Sequence, residues 1–264
     1  MSKSIKAVIF DWAGTMIDFG CMAPVNAFIS AFEEKNIQIT LSEAREPMGL
    51  AKRDHVKAIL SGERVKNEWI KIYNSPPTDK DIDAIYHIVT PKMMEAIEQS
   101  CEPIDGVIEI IQQLKSQGIK IGSTTGYIDI MMEKIIPAAA AKGLTIDSVI
   151  NSSDCKEGRP SPFMIFRNME NLGIYDVSEV LKVGDTVADV GEGLNAGAWT
   201  AAVVCSGNEV GLPKNDFDAL DEQTKSELIN AASEKLKNAG SDYIMKNMNE
   251  LFSVIEDINN KLKS

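Results

Sequence analysis

The sequence predicts an α/β fold: a parallel sheet interrupted by an all-helical insertion. Three observations lead there. Short apolar runs recur at wide spacing, AVIF at 7–10, IKIGS at 119–123, SVIN at 148–151, VLKVG at 180–184 and TAAVV at 200–204. Their length and their Gly or Asp borders suit buried strands. Helical periodicities separate the later runs, and such alternation produces a parallel sheet. The interval 21–100, in contrast, carries helical patterns and no strand-like run.

The elements follow in order. After the first strand, amphipathic patterns cover 24–35, 50–60, 64–73 and 79–99. Pro47, Gly62, Pro76 with Pro77, and Pro91 separate them into distinct helices. Over 106–117, Val107, Ile110, Ile111 and Leu114 keep helical spacing, and Gly118 stands at the C-terminal stop. The tail from 214 to 264 reads as two amphipathic helices flanking a short DYIM segment. The division is therefore a core of 1–20 with 101–264 and a helical insertion of 21–100.

Composition narrows the function. In 264 residues, 27 Lys and Arg against 39 Asp and Glu give a net charge of −12. That excess of acid excludes a partner bound through phosphate neutralisation, such as nucleic acid. It leaves small anionic substrates open, since a local pocket can be positive on a negative protein. The N-terminal MSKSIKAVIF is neither signal peptide nor membrane anchor, and no apolar stretch approaches a spanning helix. Four scattered cysteines, Cys21, Cys101, Cys155 and Cys205, read as reduced thiols in the cytoplasm. With only His55 and His87 besides, any metal is expected on oxygen ligands.

Ligands of an open parallel sheet bind beyond the carboxyl ends of its strands, so residues just after each run are the candidates. Asp11 follows the first run, Thr125 and Gly126 the second, then come Arg159, and Asp185 with Asp189. A carboxylate, a hydroxyl, a cation and two more carboxylates in that order suit phosphoryl transfer. Asp11 is the candidate nucleophile, Thr125 and Arg159 hold phosphoryl oxygens, and Asp185 with Asp189 position Mg²⁺. Taken singly, each is ordinary turn chemistry or a surface cation; it is the convergence on one sheet edge that carries the reading.

The stretches VIFDWAGTMIDFGCMAP, EPMGLAKRDHVKAI, IKIGSTTGY, GRPSPFM and KVGDTVADVGEGLNAGAWT together resemble the phosphonatases of the haloacid dehalogenase superfamily, over nearly the whole chain. The resemblance implies a Rossmann-like core with an inserted all-helical cap domain. It implies hydrolysis of phosphonoacetaldehyde in 2-aminoethylphosphonate degradation, and a homodimer through the cap. The superfamily signature carries a second aspartate that protonates the leaving group; here that position is Ala13. By the same resemblance Mg²⁺ is bound by Asp11, the main-chain carbonyl of Ala13, Asp185 and Asp189, directly or through water.

Alanine at 13 has a chemical rationale. A phosphonate must expel carbon, and a carbanion is too basic for ordinary acid catalysis. An imine between Lys52 and the aldehyde supplies the electron sink that an acid cannot. On a helix Lys52 shares a face with Met48 and His55. Met48 offers an apolar wall that lowers the lysine pKa, and His55 shuttles protons. By resemblance Tyr127 and Cys21 lie near the site and Met48 with Gly49 contact substrate; packing roles are the alternatives. Trp12 packs over the nucleophile loop and His87 is a surface residue. Ala13 leaves two further readings open, a Mg²⁺-dependent phosphatase for another ester and a catalytically silent phosphate-ligand sensor.

Overall fold

Six parallel strands form one sheet in the computed structural model, which describes residues 3–263. Met1, Ser2 and Ser264, the outermost residues of the expected core, lie outside the described residues. The strands are β1 (Ala7–Phe10), β2 (Lys120–Thr125), β3 (Ser148–Asn151), β4 (Val180–Gly184), β5 (Trp199–Val203) and β6 (Tyr243–Met245). Their order is β3-β2-β1-β4-β5-β6. The chain leaves β1 for β2 on one side and reaches β4 on the other, so the switch in strand order falls at the carboxyl end of β1. All four residues of β1 are fully buried, as expected of a strand covered on both faces.

Alternation along β1 divides two cores. Val8 and Phe10, with Leu181 and Val183 of β4, join the larger apolar cluster. Its other members include Ile110 and Leu114 of α6 (Val107–Ser116) and Leu251 and Ile255 of α12 (Leu251–Lys261). Ala7, Ile9 and Val180 face the other way, against Ile165 and Met169 of α8 (Phe163–Leu172). Between these, α7 (Asp129–Ala141) and α9 (Val187–Ala196) complete the crossovers.

Five helices occupy the interval between β1 and α6: α1 (Met22–Glu33), α2 (Leu41–Arg45), α3 (Lys52–Ser61), α4 (Glu63–Tyr73) and α5 (Asp79–Gln99). Val25, Phe28 and Phe32 of α1 and Ile85, Val89 and Met93 of α5 are fully buried. These apolar α1 positions thus serve the chain's own core, while Met22 and Ile29 stay half-buried. Pro91 does not divide the last pattern. It lies inside α5, whose buried face on either side of it, Val89 and Met93, outweighs one lost backbone hydrogen bond. The five-residue α2 was not expected; a capping box between Thr40 and Glu43 starts it. The tail holds α10 (Lys214–Ala219) and α11 (Glu222–Asn238) before β6, then α12, one short helix more than its pattern suggested. No helix of the described residues is long and apolar enough to cross a membrane.

Candidate active site

A cavity at the carboxyl end of β1 is lined by Asp11, Ala13, Cys21, Pro24, Met48, Gly49, Lys52, Thr125, Gly126, Tyr127 and Arg159. Every candidate for substrate binding is therefore present in one lining, contributed by five separate stretches of chain. Its free volume is about 20 Å³, room for roughly one water.

Asp11 ends β1 and is held by its own N–H donating to Val183 O at 2.9 Å. Its Oδ1 accepts from Arg159 Nη2 at 2.8 Å; Oδ2 has no hydrogen bond among the described residues. Burial pushes its carboxyl up, and the Arg159 guanidinium offsets only part of that. Arg159 itself is buried. Asp11, Asp189 and Glu192 overcome the desolvation of its cation and hold it firmly protonated.

Asp185 accepts from Thr15 Oγ1 at 2.7 Å, from the Asn208 N–H at 2.8 Å and from Cys21 Sγ at 3.3 Å. Burial, then the nearby charges of Asp11 and Asp189, push its pKa well above the carboxylate range. Burial with three acidic neighbours likewise raises the Cys21 thiol, which stays neutral and donates. Asp11, Asp185 and Asp189 can each offer an oxygen within 4.8 Å of the others'. Asp189 is answered by Arg159 and Lys182, whereas Asp185, which no cation pairs among the described residues, still feels the charge of Asp11. An oxygen donor set of this kind fits a hard divalent ion.

Asp189 is the most committed of the three. Its Oδ1 lies 2.9 Å from both Arg159 Nη1 and Lys182 Nζ, and its Oδ2 accepts from Thr186 Oγ1 at 2.5 Å. Against the burial penalty, Arg159 and Lys182 hold its carboxyl below the usual range. Its place here is beneath the cavity, binding the cation-rich floor, rather than at the lining.

Lys52 is the first residue of α3 and only 4% exposed. Among the described residues no group hydrogen-bonds or ion-pairs with its Nζ, which sits over the Tyr127 ring. Burial lowers its pKa to about 8, less than it otherwise would because Asp11 pulls the other way. Met48 does not share a helix with it, contrary to the expectation: Pro47 and Gly49 break the chain between α2 and α3. Gly49 has φ +90°, and a Cβ there would stand 2.4 Å from Thr186 Oγ1, so only glycine lets this segment lie against the core. Met48 still lines the cavity from that turn.

His55 follows one turn after Lys52 but does not line the cavity. Its ring stacks on Phe28 at 3.8 Å, and Nε2 is 2.8 Å from Ala44 O. Burial and the neighbouring Lys52 hold it neutral, so Nε2–H donates and Nδ1, which has no partner, is unprotonated. Thr125 Oγ1 accepts from the Tyr127 N–H at 3.2 Å, which leaves its proton for a ligand. Burial beside acidic groups keeps the Tyr127 phenol neutral. Trp12 is buried and His87 exposed, as expected.

Three residues of the site had escaped notice: Lys182, Glu192 and Thr124. Glu192 Oε2 accepts from Arg159 Nε at 2.9 Å and from Thr124 Oγ1 at 2.8 Å, and lies 3.2 Å from Lys182 Nζ. Lys182 also donates to Thr124 Oγ1 at 2.7 Å. A lysine in the otherwise apolar VLKVG strand was the available signal, because lone buried lysines are rare. Glu192 stands three residues after Asp189, on the same face of α9.

Comparison with known proteins gives the family. The family model of a haloacid dehalogenase-like hydrolase matches residues 5–197. The chain is 42% identical over 260 residues to a phosphonoacetaldehyde hydrolase of Paraburkholderia phytofirmans, covering 98% of this chain and 97% of that protein. It is 40% identical over 259 residues to a bifunctional phosphonoacetaldehyde hydrolase/aminoethylphosphonate transaminase of Clostridioides difficile, spanning 98% of this chain and 41% of that longer protein. The crystal structure of a phosphonoacetaldehyde hydrolase like protein from Oleispira antarctica superposes with a TM-score of 0.97 at 38% identity, over 99% of this chain and 95% of that one.

Proposed function

The chain belongs to the haloacid dehalogenase-like hydrolases, and on that footing we propose that it hydrolyses phosphonoacetaldehyde to acetaldehyde and phosphate by breaking the carbon–phosphorus bond. One observation carries the reading: Lys52 from the helical insertion and Asp11 from the sheet line one cavity, in which position 13 offers only alanine. An electrophile-forming amine thus faces a nucleophilic carboxylate, and the leaving-group acid of the superfamily is missing.

The insertion 21–100 acts as a cap over the core of 1–20 and 101–264. Thr125, the Gly126 turn and Arg159 hold the phosphonate, while Met48, Gly49 and Cys21 wall the aldehyde. Neutral Lys52 attacks the carbonyl carbon, and loss of water gives the protonated imine. His55 Nδ1, which does not line the cavity, takes the proton from the amine through water rather than by direct contact. Asp11 Oδ2 then attacks phosphorus; the carbon–phosphorus electron pair moves into the iminium and forms an enamine. Protonation and hydrolysis of the enamine release acetaldehyde and regenerate Lys52, and water cleaves the aspartyl phosphate. Mg²⁺, held by Asp11, the Ala13 carbonyl and Asp185, with Asp189 behind them, would neutralise charge on the phosphonate oxygens. Asp189 acts chiefly by fixing Arg159.

The four cysteines, none in a disulfide among the described residues, support a cytoplasmic location, and the proposed substrate is one of 2-aminoethylphosphonate degradation. A homodimer through the cap is part of the reading, with half-buried Met22 and Ile29 the apolar α1 positions left for it; light scattering tests it. The decisive experiment adds borohydride with phosphonoacetaldehyde, followed by digestion and mass measurement. A reduced adduct on Lys52 is expected. Phosphate release without any adduct would defeat the imine route, and neither adduct nor turnover would leave a ligand sensor.

A further inference from the structure

We propose that Arg45, at the end of α2, and Asn208, in the loop after β5, form a latch that holds the segment 46–52 shut over Asp11. The functional reading above enters only in naming what the segment closes on. With about 20 Å³ free, the cavity is too small for a phosphonoaldehyde, so substrate entry requires part of its lining to move, and Met48, Gly49 and Lys52 are the part that segment 46–52 contributes. The question is what fastens it.

Arg45 Nη1 donates to Gly20 O at 2.9 Å and to Asn208 Oδ1 at 3.1 Å, and Nη2 donates to Gly211 O at 2.8 Å. Asn208 returns a bond from Nδ2 to Arg45 O at 3.2 Å. The same Arg45 carbonyl accepts from the Met48 N–H at 2.9 Å, so the fastening reaches the cavity lining directly. A Cβ on Gly211 would come within 2.7 Å of Arg45 Cζ and Nε; the loop backbone is shaped to the guanidinium. The planar fork suits several carbonyls at once, which an ammonium cannot match. Lys235 adds an outer bridge to Glu46 at 3.1 Å and Glu209 at 2.8 Å, more exposed and correspondingly weaker.

The loop that receives Arg45 also shapes the site. Asn208 N–H donates to Asp185, Ser206 Oγ donates to Gly14 O at 2.7 Å, and Ser206 O accepts from the Gly20 N–H at 2.8 Å. One loop therefore grips the segment after the nucleophile, the carboxylate of the cation site and the cap. Releasing Arg45 loosens 46–52 and 204–211 together. Arg45 and Asn208 touch no reacting atom; they are positioning residues.

The test uses Arg45→Gln, Arg45→Lys and Asn208→Ala in the full chain, read by amide hydrogen exchange and steady-state kinetics with phosphonoacetaldehyde. In Arg45→Gln and Asn208→Ala, exchange of 46–52 and 204–211 should rise together by roughly tenfold. KM should rise more than kcat falls, because apparent affinity scales with the closed fraction. Arg45→Lys should fall between. Unchanged exchange in both segments overturns the latch, as does a rise spread over the whole chain; a rise in 46–52 alone overturns its coupling to the Asp185 loop. Should the parent chain fail to turn over phosphonoacetaldehyde, the functional reading falls, while the exchange data still decide the latch.

Discussion

The Nζ of Lys52 stands 4.7 Å above the ring centroid of Tyr127. The ring face stabilises the ammonium without hydrogen-bonding it, so the amine is held in place and its lone pair, once the proton is gone, is free to attack. Burial, working against that attraction, is what lowers the amine to about 8, so under the proposed imine route Lys52 is ready at moderate pH.

That readiness has a pH signature. Only the neutral amine forms the imine, so trapping by borohydride should increase with pH through a midpoint of about 8 rather than the ordinary lysine value of 10.5. Adduct yield measured between pH 6 and 11 checks it. A midpoint above 10 would show that the lysine is not activated.

Lys52→Arg keeps the cation but cannot form an imine. Turnover should fall at least roughly a thousandfold, the scale on which loss of a covalent catalyst is felt, and the borohydride adduct should vanish. Mg²⁺ binding, followed by calorimetry, should persist, because the candidate ligands lie on the core side.

Asp185→Asn separates the cation site from the fold. Mg²⁺ at a hundred times its dissociation constant should stabilise the parent by about 2.7 kcal/mol, a melting shift of roughly 5 to 10 °C, and the variant should show none. Without metal the sign reverses. A carboxyl whose folded pKa is raised weakens the fold progressively as pH climbs above its ordinary 3.8. In chelator, then, the parent should lose more melting temperature than the variant between pH 5 and pH 8.

Glu192→Gln preserves shape and removes one charge from the floor of the site. Lys182 then keeps Asp189 alone as its ionic partner, and a destabilisation of roughly 3 kcal/mol by urea unfolding is expected, the low end for breaking a buried pair. Turnover should drop because Arg159 loses the carboxylate charge at its Nε, yet the Lys52 adduct should still form. An unchanged unfolding curve would argue that the pair is not ionic.

Five of the six strands were legible because each is a short apolar run with a polar border, and the candidate residues follow from those borders; β6, three residues long, was read only as a DYIM segment between helices. Asp11, Thr125, Arg159 and Asp185 were found through position alone. The insertion was legible from periodicity, but α2 was too short to show one, and the Pro91 rule gave way to packing on either side of it. His55 shares a helix face with Lys52 as its spacing says; Phe28, from another helix, captures its ring, and no local pattern contains that. Lys182 and Glu192 were passed over because a strand and a helix face explained their neighbours. Arg45 and Asn208 are 163 residues apart and meet only through the fold.

The floor beneath the cavity also bears on how this sequence can change over generations. Lys182 lies in the second strand from which the sheet's centre is built, and its charge is tolerable there only while Asp189 and Glu192 answer it. Apolar residues of similar size would serve a purely architectural role as well or better. That exchange has to be made jointly, because removing one partner alone leaves a buried charge unanswered. Lys182, Asp189 and Glu192 are therefore expected to persist or to be lost as a unit, whatever becomes of the residues that line the cavity above them.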